Sequence, residues 1–198
     1  MLVRSRPFFG RKGSIMEKKV QVPDGVEVRI DGMCVTVKGP LGELSKDFDD
    51  PRFNRLVKLE KKDNEVQVSN LDEGRKITAM VGTIAAHVKN MILGTSVGFK
   101  YDMKIMYTHF PITVTQAGTE IQVKNFFGEK GARSATVVGD TEVKIDKENI
   151  TLTGINVEDV GQTAANIERS CKLTGRDRRI FQDGIFLTGR HLKNGEKV

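Results

Sequence analysis

Apolar and polar residues alternate along two stretches of this chain, and each stretch is followed by a segment whose apolar residues fall three and four apart. In the first stretch, Val26, Val28 and Ile30 alternate with charged residues, and Cys34 to Val37 continue the pattern beyond the turn pair Asp31-Gly32. This predicts strands over 26–30 and 33–37, then a hairpin of 56–60 and 65–69 folded across Lys62-Asp63-Asn64. The second stretch predicts strands over 112–115, 119–124, 142–146 and 149–153, rich in the Val, Ile and Thr that suit a half-buried pleated surface. The helical segments are marked by Ile77, Met80, Val81, Ile84, Val88, Met91 and Ile92, and by Val160, Ala164, Ile167 and Cys171. Gly94 and Gly175 are the expected helix stops.

The two stretches are copies. At a constant offset of 86 residues, Val28, Gly32, Val37, Lys38, Gly42, Glu43, Val57 and Lys58 recur as Val114, Gly118, Val123, Lys124, Gly128, Glu129, Val143 and Lys144. A repeat of this length is a small domain, because solenoid units run only about 20–50 residues. A sheet with one apolar face and a helix with one apolar stripe satisfy each other by packing. The expected fold class is therefore α+β, with two tandem homologous domains, each an antiparallel or mixed sheet carrying one helix. The expected division is a basic flexible extension over 1–15, a first domain over 16–96, a second over 97–175, and a basic C-terminal segment over 176–198.

Charge breaks the symmetry. The net charge of +6 is concentrated at the ends: residues 1–15 carry four basic groups and no acidic one, and 169–198 carry eight basic against three acidic. The remainder holds 20 basic and 23 acidic residues. Basic ends on a near-neutral body suit local attachment to an anionic polymer. No uninterrupted apolar run reaches the ~18 residues of a membrane helix, so a soluble protein is expected. Cys34 and Cys171, one per copy, read as reduced thiols.

The copies also differ in a loop. After the shared Lys-x-x-x-Gly-Glu, the first copy continues Leu44-Ser45-Lys46-Asp47 and the second Lys130-Gly131-Ala132-Arg133. In the second copy Lys124, Asn125, Phe126, Phe127, Gly128, Lys130 and Arg133 combine cations, aromatic rings and glycines whose backbone can approach phosphates. An ordinary glycine-rich connection with both rings in the core is the alternative. Arg176, Arg178 and Arg179 form a dense cluster suited to bidentate phosphate contacts, and Arg190, His191 and Lys193 extend it. Ile180, Phe181, Ile185 and Phe186 are interleaved as expected backbone anchors. A nucleotide-binding P-loop pattern is absent, and the three histidines are not spaced for a metal site. No nucleophile–base set or isolated carboxylate pair stands out. The expectation is a protein that is not an enzyme and takes no cofactor or metal.

Several motifs, in order, carry a family resemblance. They are Val37-Lys38-Gly39-Pro40-Leu41-Gly42, His87-Val88-Lys89-Asn90-Met91-Ile92 with Gly94, His109-Phe110-Pro111-Ile112, Asn125-Phe126-Phe127-Gly128-Glu129-Lys130, and Arg176-Asp177-Arg178-Arg179-Ile180-Phe181-Gln182-Asp183-Gly184-Ile185-Phe186. Over roughly 18–190 the chain resembles the large-subunit ribosomal protein family called L-six in bacteria and L-nine in eukaryotes, and the last motif favours the eukaryotic form. The resemblance implies two duplicated α+β domains and no catalytic activity. It implies a second domain that chiefly binds large-subunit rRNA, near the sarcin–ricin loop and the stalk base where translational GTPases dock. It further implies neighbouring large-subunit proteins, including stalk-base proteins, as partners, with no membrane and no homo-oligomer. The implied location is the cytosolic ribosome, with transient nucleolar assembly in a eukaryote. Carried over, the implied RNA contacts are Lys124, Lys130, Arg133, Arg169, Lys172, Arg176, Arg178 and Arg179. Asn125, Phe127 and Gly128 of the loop and Arg190 and Lys193 beyond it complete the expected surface. Glu43, Asp47 and Gly131 make this chain less basic than eukaryotic relatives, and the extension before Met16 lies outside the family pattern. A non-ribosomal RNA-binding module and a protein–protein scaffold on the same fold are the alternatives.

Overall fold

The structure is a computed structural model that describes residues 16–51, 56–72, 74–177 and 179–197. The expected extension over 1–15 and Arg178 therefore lie outside the described residues. The chain folds into two compact units. One holds the described residues through Val37 together with Ser45–Lys89, and the other holds Lys38–Leu44 with the described residues from Asn90 onward.

The duplication is visible in the strand pairing. The first copy contains β1 (Glu17–Gln21), β2 (Glu27–Asp31), β3 (Cys34–Gly39), β4 (Gly42–Asp47), β5 (Val57–Lys62) and β6 (Glu65–Asn70), followed by helix α1 (Arg75–Ser96). Its strands form two antiparallel sheets in the orders β1-β6-β5 and β2-β3-β4. The second copy contains β7 (Phe99–Met106), β8 (Thr113–Ala117), β9 (Glu120–Lys124), β10 (Arg133–Thr136), β11 (Glu142–Asp146) and β12 (Asn149–Gly154), then α2 (Val157–Ser170) and β13 (Gly184–Leu192). Its sheets run β11-β12-β7-β13 and β10-β9-β8, the same two orders with one strand added. The added strand, β13, pairs antiparallel with β7, from Gly184 opposite Met106 to Leu192 opposite Phe99, with a bulge between Leu187 and Gly189. Equivalent turns repeat their backbone. Gly32 and Gly118 take φ of +65° and +63°, and Asp63 and Lys147 take +49° and +46° at the two later hairpins. The glycines suit a left-handed position that β-carbon sterics make costly for most residues.

All eight strands expected from the alternation are present within a residue or two, and both helices form. Five strands lie outside that expectation: β1, β4, β7, β10 and β13. Two helix stops also need correction. Gly94 lies inside α1, which continues to Ser96, and the chain leaves the helix at Gly98 (φ +84°), with the Val97 and Gly98 amides both donating to Leu93 O. Gly94 serves close packing instead, since a Cβ there would collide with the Ile155 carbonyl oxygen. In the second copy α2 ends at Ser170 with Cys171 as its cap, and Gly175 is left-handed in the following loop. By length and composition α1 could cross a membrane, although polar residues interrupt its apolar run. Its stripe of Val81, Ile84, Val88 and Ile92 is buried within the protein.

In the second unit, α2 lies against β7, β10, β12 and β13. Val160, Ala164 and Ile167 meet Tyr101, Met103, Ile105, Ile150, Leu152 and Ile185 in one core. Asn156 caps the helix by accepting a hydrogen bond from the Glu158 amide at 3.0 Å, and Glu158 and Asp159 place negative charge in the first turn. Thr163, buried on the inner face, accepts from the Val138 amide at 3.0 Å. Both cysteines are free thiols, and burial raises the pKa of Cys171.

Candidate nucleic-acid interface

The equal sequence offset conceals a structural difference. In the first copy β3 and β4 are joined by Pro40-Leu41 alone, whereas the second joins β9 to β10 through residues 125–132. That longer loop contains one 3-10 turn, Phe126–Gly128, and three left-handed residues shape it: Asn125 (φ 61°), Phe127 (φ 51°) and Gly128 (φ 73°). A non-glycine residue in this region is uncommon and costs about 1–3 kcal/mol, so the surroundings must hold it. Asn125 is held by its side-chain amide, which donates to Pro111 O at 3.0 Å. Phe126 turns inward and is 1% exposed in the core, while Phe127 stays half-buried. The two rings meet edge to face at 4.8 Å between centroids. The loop thus divides the two readings of its aromatic pair: Phe126 is core, and Phe127 packs against the core while staying partly open.

Arg133, expected as part of the loop, opens β10 and closes the loop over α2. Its Nε and Nη2 donate to the two carboxylate oxygens of Glu129 at 2.8 and 2.6 Å. Its Nη1 donates to the carbonyls of Ser170 (2.9 Å) and Lys172 (3.1 Å), and the guanidinium lies 4.4 Å from the Phe126 ring centroid. All but one of its N–H donors are used internally. The hydrogen bonds from Arg133 pull the Glu129 carboxyl below its usual pKa, and the same bonds push the guanidinium pKa up. Arg133 is thereby a clamp between the loop and the end of α2.

A second lock stands beside it. Arg176 lies over both Phe127 (5.0 Å) and Phe181 (5.2 Å), and His109 packs against the same two rings at 5.9 and 5.0 Å. Asp183, buried, accepts from the Thr108 and His109 amides, and its Oδ1 lies 3.1 Å from His109 Nδ1. Burial acts to raise the Asp183 pKa, but the hydrogen bonds from His109 and Thr108 outweigh it and hold the carboxyl below its ordinary value. No sequence pattern signals that residues 109 and 183 meet. Both stand in motifs quoted above, yet their contact depends on β13 lying alongside β7.

Of the expected surface, Lys124, Asn125, Gly128 and Lys130 are exposed around the loop, and Gly131 has open space where a side chain would stand. Arg176 joins them through Phe127. Arg169, Lys172 and Arg179 are exposed on the end of α2 and the segment after it. Arg190 lies over the Tyr101 ring at 5.8 Å, and Lys193 donates its amide to Gly98 O at 3.0 Å. These two belong to β13 and its end, and no described contact ties them to the loop cluster. Among the described residues, no carboxylate lies within 4.0 Å of Lys124, Lys130, Arg169, Lys172, Arg176, Arg179 or Arg190. Ion pairs stand elsewhere on both copies: Lys58 with Glu60 at 2.6 Å and Lys19 with Glu17 and Glu65 at 3.9 Å in the first, and Lys100 with Asp102 at 3.4 Å in the second. Among the described residues there is also no group of three His, Cys, Asp or Glu able to hold a metal ion.

Internal bonds hold the loop in shape and leave the cations around it without a carboxylate partner among the described residues, on the scaffold of a duplicated α+β protein. Comparison with known proteins gives that scaffold a family. The family model described as "Ribosomal protein L6" matches twice, over residues 22–98 and 110–184, so the chain belongs to the ribosomal protein L6 family, whose members are structural and non-enzymatic. Proteins named "Large ribosomal subunit protein uL6" are among its relatives. That of Methanothrix thermoacetophila is 45% identical over 170 residues, covering 86% of this chain and 94% of its own. That of Desulfurococcus amylolyticus is 45% identical over 172 residues, covering 86% and 92%, and that of Aeropyrum pernix is 45% identical over 175, covering 88% and 94%.

Proposed function

We propose that this protein is a structural constituent of the large ribosomal subunit and binds large-subunit rRNA chiefly through its second copy, near the sarcin–ricin loop and the stalk base. The observation that carries this reading is the asymmetry between the copies: only the second opens its hairpin into a clamped loop ringed by unpaired cations. Lys124, Lys130, Arg176 and Arg179 supply charge to phosphates, joined by Arg169, Lys172 and Arg178 and by Arg190 on β13 and Lys193 just beyond it. Asn125, Phe127 and Gly128 set the loop's shape, and Arg133 fixes it from within. Duplex RNA offers a protein mainly phosphates and shape, so base readout is minor and affinity falls steeply with salt. Neighbouring large-subunit proteins, stalk-base proteins among them, are the protein partners, and the ribosome is the site of action. The RNA-binding unit comprises the second domain and its basic continuation, residues 97–198.

The test compares two charge reversals in the full chain. Lys124→Glu with Lys130→Glu is expected to weaken incorporation into large subunits by tenfold or more, as judged by co-sedimentation, and to flatten the salt dependence of rRNA binding. Lys61→Glu with Lys76→Glu, exposed on the first copy, is expected to leave both near wild type. Equal losses from the two pairs would refute the asymmetry.

A further inference from the structure

The second unit has a cleft of about 600 Å3 beside the end of α2, within the range of small-molecule sites. Its apolar lining includes Leu173, Phe181, Ile185, Phe186 and Met106. Phe186 is 41% exposed and Met106 49%, large apolar groups left open to solvent. The Phe186 ring lies back over Gly184, where a Cβ would come 3.0 Å from its Cζ, so the glycine gives the ring its place. Arg169 and Lys172 also line the cleft as exposed cations with no carboxylate within 4.0 Å among the described residues. The lining also holds two acidic groups, Asp183 buried and Glu168 exposed. Asp183 is bonded to Thr108 and His109, and Glu168 accepts from the Leu187 amide at 3.4 Å.

We propose that this cleft receives a single unpaired RNA nucleotide, with its base against Phe186 and its phosphate at Arg169 and Lys172. The inference rests on the RNA-binding reading and adds a base-accepting site to it. An aromatic floor with cations beside it is complementary to a nucleotide, which joins a π face to an anion within one residue. An apolar peptide side chain would fill the floor and leave both cations unused. A paired base cannot enter, because its faces are covered by its neighbours in the stack. Recognition of RNA loops and bulges by stacking on aromatic side chains follows the same logic.

The chain contains no tryptophan, so Phe186→Trp places a sole tryptophan reporter in the cleft. Titrating this full-length variant with large-subunit rRNA is expected to quench the emission and shield it from acrylamide. Phe186→Ala is expected to weaken rRNA binding about 5- to 150-fold, the effect of losing one base–aromatic stack, with the salt slope unchanged. Wild-type affinity in Phe186→Ala, alongside a loss in the Lys124→Glu/Lys130→Glu variant, would overturn the cleft proposal and leave the RNA surface standing. A Phe186→Ala defect that shows only when ribosomal proteins are present would assign the cleft to a protein partner and also overturn it. If the wild-type chain fails to bind rRNA at all, both readings fall.

Discussion

Replacing Arg133 with alanine separates two roles that sequence alone confounds, a phosphate ligand and an internal clamp. The clamp's contribution can be worked from its bonds. Two charged hydrogen bonds join Arg133 Nη1 to the Ser170 and Lys172 carbonyls, and such bonds contribute about 1.5–3 kcal/mol each when buried. Here they must be discounted, because the side chain is 28% exposed. The pair with Glu129, itself 43% exposed, adds only about 0.2–1 kcal/mol, and the stacking over Phe126 about 0.5–1 kcal/mol. Since these terms overlap, the expected loss is about 2–4 kcal/mol, which lowers Tm by on the order of 10 °C. Urea and thermal unfolding measure the total. Amide hydrogen exchange should show the loss concentrated in 125–133 and 170–173. A lysine at this position should not rescue, because an ammonium cannot span both oxygens of Glu129 while reaching two carbonyls. In a double-mutant cycle with Glu129→Gln, the coupling should stay below about 1 kcal/mol. Near-wild-type stability in Arg133→Ala, together with weakened rRNA binding and a shallower salt slope, would refute the clamp and make Arg133 a phosphate ligand.

Two further expectations concern the frame around the site. Asp183 has a folded-state pKa below its unfolded value of about 3.9, so its contribution is present above that pH and disappears as pH falls through the depressed folded value. Urea unfolding between about pH 6 and 2 should therefore show wild type more stable than Asp183→Asn at the upper end, with the gap closing in acid; a constant gap would contradict the assignment. Gly94→Ala should destabilise by about 1–3 kcal/mol in chemical denaturation, although alanine favours a helix interior over glycine by about 1 kcal/mol. The cause is the close approach to the Ile155 carbonyl, and a stabilised variant would show that this approach relaxes freely.

How much of this is legible in the sequence depends on the kind of signal. The strands with alternating Val and Ile are readable within a residue or two, because burial of one face dictates the pattern. β1 and β4 escape for want of apolar positions: β1 reads EKKVQ and β4 GELSKD, and none of their residues is fully buried. β7 is a different case, since Phe99, Tyr101, Met103 and Ile105 alternate with Lys100, Asp102 and Lys104 in a clear two-residue period. Its signal is present, but its place between the two copies makes it look like a connector. β13 hides its alternation at the bulge, where Thr188 is passed over and the inward set shifts by one. At the site, composition locates the charged segments, whereas the tie from Arg133 to the end of α2 and the meeting of His109 with Asp183 are products of tertiary pairing. The duplication itself misleads in one respect. Aligned glycines suggest loops of equal length, and the second copy instead starts its return strand only at Arg133.

The strand added to the second copy also bears on the order in which the molecule is made. β7 is flanked by β12 and β13, whose residues emerge only after synthesis has reached Asn149 and then Gly184. The first copy can pair all its strands once Asn70 has emerged, because its counterpart of β7 needs no such late neighbour among the described residues. On the ribosome that makes it, the second copy therefore waits with one edge of β7 unpaired until residues 184–192 arrive, and long-range pairing of this kind is slow. The same strand brings Asp183 to His109 and Phe181 to Phe127. The cluster of Phe127, Phe181, His109 and Arg176 is consequently the last part of the site to take shape, after the loop that Arg133 ties to the end of α2.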